Sequence, residues 1–203
     1  MEKLSSGKKG KVAGAYMILY LLLIIVNDMK IMPHYIDFGE ARLIWRVSIQ
    51  YALDAAAVIM IVVCAMRNKN KLLLFIAAIV SAVAIFAGLV FDIIYYDEIS
   101  VTAAFVFNVL YRLSFIAVAA FGTFSLSSLV KYTWYVPAVL ITAAGIAAYI
   151  PYFSRSPEYI AEMLTTIASN LTQYAAGTAA FLYLGLWLKA KAEEEAPAIG
   201  YGF

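Results

Sequence analysis

Reactive side chains are scarce in this sequence. Among its 203 residues there is one cysteine, Cys64, and one histidine, His34. A single cysteine excludes an internal disulfide framework, and within an apolar run it reads as a small buried hydrophobe. A single histidine excludes haem held by two histidines. Nothing near His34 supplies a Cys/His ligand set, so neither a metal nor another cofactor is expected. No H-E-x-x-H, G-x-S-x-G or P-loop pattern occurs, so no catalytic residue is assigned and an enzyme is the less favoured reading. Charge is sparse as well. Charged residues make up 14% of the chain, against about 25% in an average soluble domain. The net charge is only +2. The basic residues sit at the ends of apolar runs rather than in one patch, which excludes nucleic acid as an expected partner and reads as topology anchoring.

What the chain does have is apolar sequence, 65% of its residues, in blocks of roughly 20, the length that crosses a bilayer as a helix. The expected fold is all-α: a polytopic integral membrane protein with a six-transmembrane-helix bundle and both termini cytoplasmic. The expected spans are about 12–32, 43–66, 72–95, 100–121, 133–150 and 158–188. They lie between a basic segment, 1–11, and a polar tail, 189–203. Asn27-Asp28-Met29 offers no small-x-small cleavage site, so the first apolar block reads as a retained helix stopped by Pro33. The segment 122–131 reads as a loop or a frayed extension. Ser156-Pro157 is an N-cap serine with proline at the first helical position. With six spans, ten Lys and Arg residues fall on the side of the N-terminus and four on the other, with Arg112 inside a span. That asymmetry places both termini inside, in a bacterial or archaeal cytoplasmic membrane. Tyr95, Tyr96, Trp134, Tyr135, Tyr149, Tyr152 and Trp187 lie near span ends, as in aromatic belts.

The most informative residues are the polar ones inside the spans. Arg46, Gln50 and Asp54 recur every four residues and so share one side of the second helix. At about 1.5 Å per residue, Asp54 lies roughly 15 Å into a core about 30 Å thick. Asn108 and Arg112 share a face of the fourth span, with Arg112 at a matching depth of roughly 18 Å. A charge in hydrocarbon is costly and faces a partner or water, so Asp54 and Arg112 are expected to pair. Asp92 could answer Arg46 or accept from Asn108. Thr166, Asn170, Gln173 and Gly177 form a stripe on the last helix. The resulting ligand-binding set is Arg46, Gln50, Asp54, Asp92, Asn108, Arg112, Asn170 and Gln173. Tyr51, Tyr95, Tyr96, Tyr111 and Tyr174 would supply aromatic walls. Small residues have a plainer reading, close helix approach: Ala77, Ser81, Ala84 and Gly88 on one helix, Ala144 and Ala148 on another. Gly10 and Gly14 spell G-x-x-x-G, but the motif begins outside the apolar run.

Two functions of different class follow. The first is a membrane-embedded binding or transport component with an outward-facing polar and aromatic pocket for a small polar or anionic molecule. The second is a structural or accessory subunit whose buried polar pairs only specify helix assembly beside a partner membrane subunit. In size and span number the layout is similar to that of the substrate-binding subunits of energy-coupling-factor vitamin transporters. Such subunits carry an A-x-x-x-A-type partner face on their first helix. Here Ala13, Gly14 and Ala15 are followed by bulky residues, so that face is absent or displaced.

Overall fold

In hydrocarbon every backbone amide must find its partner within the chain, and Leu, Ala and Met blocks meet that demand as helices. A computed structural model describes residues 5–29, 41–67, 71–96, 102–124, 126–151 and 155–195. Their long elements are all helical: α1 (Ser6–Met29), α2 (Ala41–Arg67), α3 (Lys71–Tyr96), α4 (Ala103–Thr123), α5 (Ser127–Thr133), α6 (Val136–Tyr149) and α7 (Pro157–Glu195). Five segments are long and apolar enough to cross a membrane: Ser6–Asn27, Ile44–Arg67, Lys71–Phe91, Ala103–Thr123 and Ser128–Tyr149. The sixth expected span, within α7, is not among them, because Thr166, Asn170, Thr172, Gln173 and Gly177 dilute its apolar content.

Two boundaries differ from expectation for one reason. α1 begins at Ser6 rather than Val12, and α7 runs to Glu195 rather than Leu188. The two helices are antiparallel and support each other beyond the apolar stretch, where the Ser6 hydroxyl favours the charged form of the Glu194 carboxyl. Further along the pair, Gly10 lies against Trp187 and Gly177 against Tyr20, and Asn27 bonds Gln173. The start of α1 and the end of α7 therefore lie at the same end of the bundle. The stop at Pro33 and the loops holding His34, Asp97, Glu98 and Tyr152 fall outside the described residues.

The stretch expected as a loop at 122–131 contains the start of a helix. α5 and α6 are two parts of one membrane crossing, broken by Pro137, which cannot donate to the carbonyl of Thr133. Helical bonding resumes around the break: the Trp134 N–H donates to Val130 O at 3.1 Å and the Val139 N–H to Tyr135 O at 3.1 Å. α4 starts at an ordinary N-cap, where Thr102 accepts from the Phe105 N–H at 3.1 Å.

The helices form a ring in chain order. α1 packs on α2, α2 on α3, α3 on α4, α4 on α6, α6 on α7, and α7 closes the circle on α1. Small residues set these contacts, as expected where lipid tails are as apolar as Leu and close approach must supply the attraction. A side chain at Gly10 would collide with the Ala65 carbonyl, and Gly14 lies against Met66 and Val62. The G-x-x-x-G letters thus mark the α1–α2 contact. Ala77, Ser81 and Ala84 are buried on α3, and Gly88 faces Gln50 and Arg46. Large side chains of α4 and α7 meet in the ring's interior. Tyr111 and Phe115 meet Phe181 of α7 edge-on, with ring centroids 5.4 and 5.1 Å apart. Trp187, expected in an interfacial belt, is instead fully buried, because α7 continues two turns past it.

Candidate functional site

At mid-height of the ring, Arg112 reaches from α4 across to α2. Its Nη1 donates to Asp54 Oδ1 at 2.7 Å and its Nη2 to Oδ2 at 3.4 Å. The predicted pair forms, and both residues are enclosed, Asp54 at 8% and Arg112 at 7% exposure. Sequence spacing gave no sign of the third member. Ser81, read as a small packing residue, accepts from the same Nη1 through its hydroxyl at 3.0 Å and through its backbone carbonyl. One guanidinium thus ties together α2, α3 and α4.

Tyr20 of α1 and Tyr111 of α4 add a second polar contact at this level, where their hydroxyls come near enough to influence each other. Helices α1 and α4 are opposite in the ring, so this contact crosses its interior. Tyr111 was expected as an aromatic wall; Tyr20 was hidden in an unbroken apolar run. The guanidinium of Arg112 lies 5.4 Å from the Tyr111 ring centroid.

Above this level the remaining expected residues diverge. Gln50 and Arg46 continue up α2 along the small face of α3, at Gly88. Asn108 donates to Ala104 O of its own helix at 2.9 Å. Asn170 is half-buried and Thr166 is exposed. Gln173 accepts from Asn27 Nδ2 at 2.6 Å, and the Ser169 hydroxyl donates to Asn27 Oδ1. The α7 stripe therefore works at the contact between α1 and α7 rather than beside Arg112. Asn27, only 7% exposed, was not foreseen as a site residue. Its signal was an amide one turn inside an uncertain helix end. The side chains of Asp92, Tyr95 and Tyr96 lie outside the described residues.

Arg112 is not fully used. Its Nε, buried beside the pair, has no hydrogen-bond partner among the described residues. A buried donor left so costs about 1–3 kcal/mol. Among the described residues no group of three His, Cys, Asp or Glu side chains could hold a metal ion.

The apolar helices and the enclosed polar level define the class: a helical membrane protein. No known protein family, curated protein or solved structure matches the chain. The expected likeness in layout to vitamin-transporter subunits therefore assigns no family.

Proposed function

We propose that the chain is a six-span binding or transport component that takes a small polar molecule into the polar level around Arg112. α7 serves as the sixth span, since it follows α1 from Asn27 down to Ser6. With an even number of crossings, the basic end that carries Ser6 and Glu194 faces the cytoplasm, and the pocket opens outward.

The observation that carries this reading is the unpartnered Nε. A guanidinium has two edges that can each present a pair of donors. Asp54 occupies the Nη1–Nη2 edge, which leaves the edge carrying Nε for an acceptor. Asp54 already cancels the charge of Arg112, so a neutral carbonyl or hydroxyl suits that edge better than a full anion. An anionic molecule would need Arg46, two turns higher on α2, to balance it. Mass spectrometry of small molecules retained by the purified chain tests the proposal. The Arg112→Ala variant, shown to be helical by circular dichroism, is expected to lose a molecule that the unaltered chain retains. An unchanged set of retained molecules would remove the binding role.

A second reading, the accessory subunit, is favoured by the Asn27–Gln173–Ser169 contact, where both ends of the Asn27 amide are spent on the neighbouring helix. On that reading Asp54→Leu with Arg112→Met keeps all function, and a partner subunit co-purifies.

A further inference from the structure

We propose that the break between α5 and α6 forms, with α7, a binding site for the phosphate headgroup of an anionic phospholipid. The site consists of Lys131, Lys189 and the rings of Tyr132 and Trp134. It lies toward the end of the bundle that carries Ser6 and Glu194, and does not depend on what binds around Arg112.

The geometry starts from Gly185. A side chain there would strike the Trp134 carbonyl, so the absence of one lets the broken span rest directly on α7. Lys189, one turn further along α7, then sits over the Trp134 ring, 5.6 Å from its centroid. Lys131 is three residues before Trp134, on the same side of the chain, and lies 5.9 Å from the Tyr132 ring centroid. One cation on α7 thus covers the Trp134 ring, and a second lies one turn earlier on the broken span.

Among the described residues neither lysine has a carboxylate partner; the nearby Glu194 is taken by Lys191 at 3.4 Å and by Ser6. Ring faces alone offset the two charges, and only weakly. The surroundings are suited to lipid rather than to a free ion. Leu129, Tyr132 and Tyr135 follow one another at three-residue spacing and are exposed, Tyr132 by 68%. They offer apolar surface for acyl chains directly beside the lysines. Basic sites between membrane helices at the cytoplasmic end recognise anionic headgroups in this way.

Native mass spectrometry of the full chain in detergent, titrated with phosphatidylglycerol or with phosphatidylcholine of the same acyl chains, tests the site. Phosphatidylglycerol is expected to bind preferentially. Lys131→Gln with Lys189→Gln should weaken it about 30-fold, equivalent to about 1 kcal/mol per lysine, without changing phosphatidylcholine retention. Lys131→Arg with Lys189→Arg should preserve it, as should Lys8→Gln with Lys9→Gln. Equal retention of the two lipids, or no effect of the paired glutamine variant, would overturn the site. So would an equal loss from the Lys8 and Lys9 variant, which would mean diffuse attraction. Displacement by millimolar inorganic phosphate would also overturn it, by showing that a free anion suffices.

Discussion

Arg112 shows how one residue can fix several helices and still have an edge to spare. Removing it leaves Asp54 as an uncompensated buried charge, which costs about 3–5 kcal/mol. Arg112→Ala is therefore expected to lower stability by that amount in reversible SDS unfolding. Replacing both charges, Asp54→Leu with Arg112→Met, should recover most of the loss, because two desolvated ions are exchanged for packing. A double variant as unstable as Arg112→Ala would mean that Ser81 and the Tyr20–Tyr111 contact depend on the guanidinium itself. Asn27 sets a smaller scale. Asn27→Leu strips Gln173 and Ser169 of their shared partner, and hydrogen bonds between membrane helices are worth about 0.6 kcal/mol on average and at most about 1.7. A double-mutant cycle with Gln173→Leu should return a coupling within that range.

At the scale of elements, glycine positions separate helix propensity from helix contact. Gly7 and Gly10 lie on the same helix, yet nothing lies within 4 Å of a side chain added at Gly7, whereas one at Gly10 meets the Ala65 carbonyl. Gly7→Ala is expected to stabilise by up to about 1 kcal/mol through helix propensity. Gly10→Ala should destabilise by about 1–3 kcal/mol, since backbone cannot yield as a side chain can. Thermal unfolding of the two variants should move in opposite directions. The far end of the α1–α7 pair responds to pH. The Ser6 hydroxyl, with Lys191 and Lys9, holds the Glu194 carboxyl below the usual glutamate range. A depressed carboxylate contributes above its ordinary value, about 4.3, and loses that contribution as pH falls through the lowered one. Amide exchange in residues 190–195, corrected for intrinsic rate, should therefore rise on acidification below that range. Glu194→Gln should show the faster exchange already at neutral pH.

For the whole molecule, closure of the ring by α1 and α7 makes the number of crossings testable. In a Cys64→Ser background, Gly7→Cys and Glu193→Cys should react with an impermeant thiol reagent from one side of the membrane and Ser156→Cys from the other. Labelling of Ser156→Cys and Gly7→Cys from the same side would remove α7 as a span. The same closure leaves an interior to which α4 contributes large side chains. Six helices in a circle leave a centre that none of them occupies, and the large side chains Tyr111, Arg112 and Phe115 reach into it from one helix.

The helical class, the apolar segments and the Asp54–Arg112 pair were determined by sequence alone. Each rests on local chemistry: run length against bilayer thickness, and opposite charges at equal depth that cannot face lipid. Partners separated by long stretches of chain were decided only by tertiary structure. Ser81 and Tyr20 carry no local mark of their polar role, and Gln173 could have faced the interior as readily as Asn27. The reach of α1 to Ser6 and α7 to Glu195 depended on each other's presence, because polar helix ends are stable only where a neighbour supplies their bonds. Lys189 at the Trp134 break illustrates the same division: sequence marks it as basic, while only the approach of Gly185 sets it over the ring.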